Sequence, residues 1–273
     1  MISLTDKEFQ TLVSFVHTKY GINLEKKRIL TEGRMSNMLK ERGFANFEQY
    51  MDVLFKDRSG AEVTTLLNKL TTNHTFFMRE IEHFEFLKTQ VLPLFEQSIK
   101  TREIRIWSAG CSSGQEPYTV AMALSEYFGM RKSQRKISIL ATDISMNALD
   151  KAKKATYTLE ELKDVPEAWR KKYFVDNKNG TLTLCDALRK DITFNTLNLM
   201  EPLSFSKPFD LVLCRNVMIY FDAPTKDKLI NKFYDVTAMG GFLFIGHSEV
   251  INRETAKYTY IRPAIYQKRG TAK

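Results

Sequence analysis

The chain has 273 residues, of which 43% are hydrophobic and 27% charged, the balance of an ordinary globular protein with room for two domains. No apolar run approaches the ~20 residues that a membrane span needs, so no membrane insertion is expected. Against 32 acidic residues stand 41 basic ones, and the net charge of +9 favours an anionic partner: nucleic acid, a membrane surface or an acidic protein segment.

The N-terminal MISLTDKEF has neither a basic n-region nor an apolar h-region, so no secretory signal is expected. Cys111, Cys185 and Cys214 are odd in number and scattered, which points to a reducing, cytoplasmic setting. The four histidines have no spacing partner of the metal-binding kind, so no metal is expected.

The first hundred residues read as helices. Thr5 and Glu8 form a capping box, Phe9, Leu12, Val13 and Val16 follow at helical spacing, and Gly21 ends the helix. Tyr50, Met51 and Leu54 after Phe47, and Leu66, Leu67 and Leu70 after Val63, repeat the pattern. These stripes predict a small bundle ending near Asn73. Between them, Glu25–Arg42 predicts a helix with a modest apolar face (Leu30, Met35, Met38, Leu39) and many cations, among them Lys26, Lys27, Arg34 and Lys40. Such a charge run is either a solvated face or a docking surface for an acidic partner. Asn73–Glu80 clusters aromatics with Asn, Thr and Arg, unusual for a plain loop, and a helix with Phe84, Leu87 and Val91 then leads to Pro93 and a polar linker near 100–103.

From Ile104 the pattern changes to alternating strands and helices. The stretch IRIWSAGCSSGQEPY runs from an apolar strand ending at Ala109, through Gly110 and Gly114, into a helix opened by Glu116 and Pro117. Glycine lets backbone approach a ligand closely, and a helix start offers free N–H donors, so Ala109 and Gly110 are expected to lie against a nucleotide-like molecule. The Gly-x-Gly-x-x-Gly dinucleotide fingerprint is absent. A Gly-x-Ser-x-Gly match does exist, with Ser112, Asp210 and His247 in hydrolase-triad order. The third reading is a site for S-adenosylmethionine (SAM).

Ile137–Ala141 is a strand that delivers Asp143, suited to accept from ribose hydroxyls or to cap the helix at Met146–Ala155. A hairpin is expected over Tyr173–Asp176 and Thr181–Cys185, with its turn at Asn179-Gly180. Ile192–Asn195 leads to Asn198 and Leu199; the nearly continuous apolar run Phe209–Cys214 delivers Arg215 and Asn216, with Tyr220 just beyond. Arg215 could pair there with Asp222. Gly240–Ile245 is another strand, carrying His247 and Glu249, and Thr259–Lys268 is expected to close the sheet. A serine hydrolase needs strands and an oxyanion loop upstream of its nucleophile, and here everything upstream reads helical. The acids and amides at successive strand ends instead outline a crevice of nucleoside size.

These motifs, in order, resemble the CheR chemotaxis receptor methyltransferases: TTNHTFFMRE at 71–80, RIWSAGCSSGQEPY at 105–118, ATDI at 141–144, Asn198-Leu199, CRNVMIYFD at 214–222 and GFLFIGHSE at 241–249, with Gly21–Leu24 in the helical part. The resemblance implies a Rossmann-like α/β methyltransferase sheet with helices on both faces. A small all-α domain at 1–73 precedes it, joined by a linker at 74–103; the α/β domain at 104–273 carries a small β-hairpin insertion near 173–186. It implies SAM as cofactor, S-adenosylhomocysteine (SAH) as product, and SAM contacts at Asn73, Thr75, Arg79, Glu116, Asp143, Asn198, Leu199, Arg215 and Asn216.

Catalytic roles are implied for Arg79 and Tyr220, and receptor docking for Lys26, Lys27, Arg34 and Lys40. The substrate implied is glutamate carboxylates on the cytoplasmic methylation helices of chemoreceptors, with the enzyme a monomer and no nucleic acid involved. Met78 replaces a Phe common in the family, and Asn37 and Met38 replace frequent basic residues. The hairpin lacks the glycine-rich loop of members that bind a receptor's C-terminal pentapeptide, so pentapeptide tethering is not expected. Two other classes are a methyltransferase acting on nucleic acid and a non-enzymatic SAM-binding regulatory module.

Overall fold

A computed structural model describes residues 2–71, 74–99, 102–130 and 135–270. Four helices come first: α1 (Asp6–Tyr20), α2 (Arg28–Glu41), α3 (Phe47–Lys56) and α4 (Ala61–Leu70). The Thr5/Glu8 capping box forms at the start of α1, and Gly21 in the left-handed region (φ 71°) ends it. α2 is shorter than the charge pattern predicts. Thr31 and Ser36 are buried with Met35, Met38 and Leu39, while Leu30 is 42% exposed, because the buried stripe rotates past it.

Helices α5 (Ile81–Phe86) and α6 (Leu92–Ser98) are joined by a π-helical turn, Leu87–Val91. The wide turn carries the helix past Pro93, which has no N–H to give, so the helix runs on where the sequence suggests a stop.

The α/β part follows with β1 (Ile104–Ala109), α7 (Gln115–Phe128), β2 (Ile137–Asp143), α8 (Met146–Lys154), β3 (Thr156–Thr158), α9 (Glu167–Tyr173), β4 (Phe174–Asp176), β5 (Thr181–Leu184), α10 (Asp186–Arg189) and β6 (Ile192–Thr196). It closes with β7 (Phe209–Cys214), α11 (Ala223–Val236), β8 (Thr237–Ile245), β9 (Thr259–Arg262) and β10 (Ile265–Gln267). The main sheet has the order β6-β2-β1-β7-β8-β10-β9, parallel from β6 to β8, with β10 and β9 antiparallel at one edge. The expected closing strand is therefore two, folded back at Pro263-Ala264, where Ala264 has φ 64°. The expected hairpin is likewise one part of a three-stranded sheet, β3-β5-β4.

Both sheet faces are covered, which is why β7 is buried throughout and apolar apart from Asp210. Side chains alternate along each strand: Ile106, Leu211, Leu213, Phe242 and Phe244 pack with α7 and the α5–α6 segment. Trp107, Val212, Leu243 and Ile245 belong to a second core shared with α11 and, without a break, with Leu12, Met35, Tyr50 and Leu66 of the helical bundle. At 25 cal/mol per Å², a large side chain buried there contributes about 1.5–3 kcal/mol, so this shared core ties the bundle to the sheet. No helix among the described residues is long and apolar enough to cross a membrane.

Candidate functional site

Chain direction switches between β1 and β7, which lie side by side while their crossovers leave in opposite directions. A crevice opens at the carboxyl ends of the strands at such a point. An open cavity lies there, lined by residues from the strand ends, the segment before α5 and the helical bundle.

Ten predicted residues line it. Thr75 and Arg79 come from the segment before α5, Gly110 and Asp143 from the ends of β1 and β2, and Glu116 from the first turn of α7. Asn198, Leu199, Arg215, Asn216 and Tyr220 follow β6 and β7. Ala109 is fully buried at the end of β1, its Cα paired with that of Thr142, behind the cavity wall. Asn73 lies outside the described residues.

The β1 turn is built for close approach. Gly110 has φ 85°, and a Cβ there would meet Val217 Cγ2 at 2.4 Å. Its N–H and that of Cys111 donate to Thr142 O at 2.8 and 2.9 Å, tying the turn to β2. Asp143 Oδ2 accepts from Ser112 N, and Oδ1 from Ser145 N, both at 2.8 Å. A carboxylate has about four acceptor positions, so these amides do not exhaust its capacity for hydroxyl donors. Burial pushes its carboxyl above the ordinary carboxylate range, against the pull of these amides. Asp143 does not cap α8: Ser145 does, its Oγ accepting from Ala148 N at 3.2 Å.

Arg215 is the electrostatic centre. Its Nη1 donates to Glu116 Oε2 at 3.0 Å, Nη2 and Nε donate to Glu80 Oε2 at 3.1 and 3.3 Å, and Nη2 also donates to Arg79 O. The other candidate partner, Asp222, instead caps α11 and meets His17 Nε2 at 2.7 Å, across the domain junction. Glu116 Oε1 accepts from Ser108 Oγ at 2.6 Å. Burial would raise the Glu80 carboxyl, but Arg215 and the His247 amide outweigh it and hold it low.

His83 and His247 flank Glu80, with His83 Nδ1 3.4 Å from Glu80 Oε2, a cluster whose spacing in the sequence carries no metal signature. Arg215 already pairs with that carboxylate, and Arg262 also acts on His83, so the cluster is one ion pair flanked by two imidazoles in a cationic setting. Burial pushes His83 down to about 3, keeping it neutral.

Asn216 sits at φ 59° with its Oδ1 buried and without a hydrogen-bond partner. A buried amide oxygen left unpaired costs about 1–3 kcal/mol. The residue as a whole lines the cavity, with its Nδ2 donating to Glu80 Oε1 at 3.4 Å. Together with Asp143 and the Gly110 turn, Asn216 makes a lining that fits the group that the sequence implies.

Arg79 donates from Nη1 to His74 O at 2.9 Å and stacks on Phe76, 5.5 Å from the ring centroid. Asn198 spends its amide on Lys19 O at 2.8 Å, while its Oδ1 accepts from Met200 N. The helical bundle also reaches the site through Tyr20 and Ile22, and Asn23 N donates to Tyr220 O at 2.8 Å. Sequence reading misses these residues, because only tertiary packing brings them to the cavity. Glu80 and Glu249 stand inside family motifs, but nothing local marks them as structural acceptors.

The docking cations disperse. Lys26 and Lys40 are exposed, Lys27 Nζ lies 5.4 Å from the Tyr220 ring centroid, and Arg34 donates to Lys69 O and Leu70 O at the end of α4. The hydrolase constellation does not form. Asp210 is held by Arg102 and Arg105 N at the start of β7, the edge of the sheet opposite Ser112.

Residues 73–266 match the family described as CheR methyltransferase, SAM binding domain, and residues 7–71 match its all-alpha domain. The chain belongs to the CheR methyltransferase family. Among relatives, it is 43% identical to a chemotaxis protein methyltransferase of Borreliella burgdorferi over 98% of this chain and 96% of that one. It is 32% identical to the one from Escherichia coli, covering 97% and 92%, and 31% identical to that of Salmonella typhimurium, covering 97% and 91%. The fold is thus the Rossmann-like SAM methyltransferase sheet of a CheR protein, with SAM as its cofactor.

Proposed function

We propose that this CheR protein methylates glutamate side chains of chemoreceptors, producing glutamate methyl esters and SAH in the cytoplasm. The observation that carries the reading is the cavity at the β1/β7 switch point, where Asp143, Asn216, Arg79 and Tyr220 converge in a chain that aligns end to end with chemotaxis methyltransferases.

SAM supplies an electrophilic methyl carbon: the glutamate oxygen forms a C–O bond as the C–S bond breaks, and the sulfur keeps the electron pair. A glutamate side chain in water titrates near pH ~4.3 and is already ionised at neutral pH, so no general base is needed. The protein's task is placement, which contributes on the order of 7–11 kcal/mol in well-oriented cases. Asp143 accepts from the ribose hydroxyls, Asn216 borders the amino-acid end of SAM, and Glu116 and Arg215 fix the cavity floor.

Arg79 orients the acceptor carboxylate without quenching it, since part of its donor capacity is engaged by His74 O. Tyr220 closes the acceptor side, beside Lys27. Lys26 and Lys40 give the acidic methylation helix its first electrostatic contact. Methyl-labelled SAM, chemoreceptor-containing membranes and the purified protein test this: alkali should release the transferred label as methanol. Label that withstands alkali, or none on the receptors, overturns the ester assignment.

A further inference from the structure

Glu249 is 95% buried at the end of β8, and no basic side chain pairs with it among the described residues. Its partners are backbone amides from two loops. Oε2 accepts from Gly246 N at 2.6 Å and from Asn216 N at 3.0 Å; Oε1 accepts from Ile219 N at 3.2 Å. A buried carboxylate without a counter-ion is costly unless such donors satisfy it. Here two of the three donors belong to the turn that carries Asn216 in its left-handed conformation and leads directly to Tyr220.

Glu80 performs a parallel task from the other side, its Oε1 accepting from His247 N at 3.1 Å and Asn216 Nδ2 at 3.4 Å. Gly246 is the contact point of the two loops. A Cβ there would lie 2.6 Å from Asn216 Nδ2 and 2.9 Å from both Asn216 N and Glu249 Oε2.

We infer that Glu249 is a positioning residue: by gathering the amides of residues 216, 219 and 246, it sets the Asn216 amide and the Tyr220 ring in the cavity without touching ligand. This rests on the SAM reading of the cavity given above. A neutral glutamine at 249 keeps one acceptor oxygen but turns an NH₂ toward N–H donors, so the turn should relax while the core stays filled.

SAH calorimetry on the full chain tests this, with thermal unfolding measured beside it. Wild-type protein must bind SAH; failure there refutes the methyltransferase reading itself. Glu249→Gln should bind SAH about tenfold more weakly or worse. Asn216→Ala should cost about tenfold in the wild type and under about twofold in the Glu249→Gln background, because the two share one effect. Leu54→Ala, in the distant bundle core, should lower the melting temperature and leave SAH affinity unchanged. Should Glu249→Gln not fold, Glu249→Asp and Gly246→Ala are read in the same way, each expected to weaken SAH severalfold. Wild-type SAH affinity in a folded variant, or losses that add in full with Asn216→Ala, reduce Glu249 to a core residue.

Discussion

Arg215 and Glu116, 99 residues apart in the chain, meet at 3.0 Å on the floor of the cavity, and the same guanidinium holds Glu80 at 3.1 Å. One buried cation therefore serves two carboxylates that arrive from β1's crossover helix and from the segment before α5. Arg215→Ala would strand both acids. Removing one member of a buried ion network costs about 3–5 kcal/mol, so urea unfolding should show a loss of that size, and SAH binding should fall with it. A loss below about 1 kcal/mol would show that the network contributes little.

Asp143→Ala should weaken SAH binding by roughly 1.5–3 kcal/mol, the range for hydrogen bonds to a charged acceptor, or about ten- to a hundredfold. The amides of Ser112 and Ser145 lose their acceptor as well, so calorimetry belongs well below the variant's melting temperature. Unchanged affinity would remove the ribose role.

The Asp222 carboxylate joins α11 to α1 through His17. Hydrogen bonds from Thr225, then His17, bring it down to about 2 from an ordinary 3.8. A depressed acid contributes stability above its unfolded value and loses it as pH falls through the folded one, here between about pH 4 and pH 2. Allowing for solvent screening, Asp222→Asn should cost about 1–2 kcal/mol at neutral pH, with the difference from wild type closing by about pH 2. A difference independent of pH across that window would assign the effect to packing.

How far the sequence discloses this site follows from the range of the interactions. The strand–glycine–helix turn at 104–128 and the acid ending β2 are local patterns with a local physical cause, and both are legible. So is the polar edge formed by Asn198, Arg215 and Asn216, because parallel strands deliver their next residues to one side. What stays hidden depends on distant partners: the Arg215–Glu80–Glu116 network, Tyr20 and Ile22 in the cavity wall, and the passage of α6 beyond Pro93. Strand β3 is three residues long, too short for any periodicity to mark it. The break at Pro263-Ala264 escapes notice because Thr259–Lys268 looks like one strand, although Pro is itself a turn signal.

Arg34 and Lys40 look equivalent in the sequence as docking cations, but Arg34 caps the α4 carbonyls and its replacement would disturb the bundle. Lys26→Glu with Lys40→Glu is the cleaner test. Exposed charges contribute only about 0–1 kcal/mol each, so the pair should raise the KM for receptor severalfold at low salt and leave SAH affinity unchanged. The effect should shrink as ionic strength rises. Wild-type kinetics for this pair at low salt would leave α2 a solvated face.

The proposed reaction delivers the methyl group to a glutamate carboxylate at this cavity. Tandem mass spectrometry of receptor peptides, after incubation with the protein and SAM, tests it most directly. Methyl esters are expected on glutamate side chains, and their loss when Asp143→Ala replaces the wild type. Methyl groups on lysine, arginine or co-purified nucleic acid, with glutamate unmodified, would contradict it.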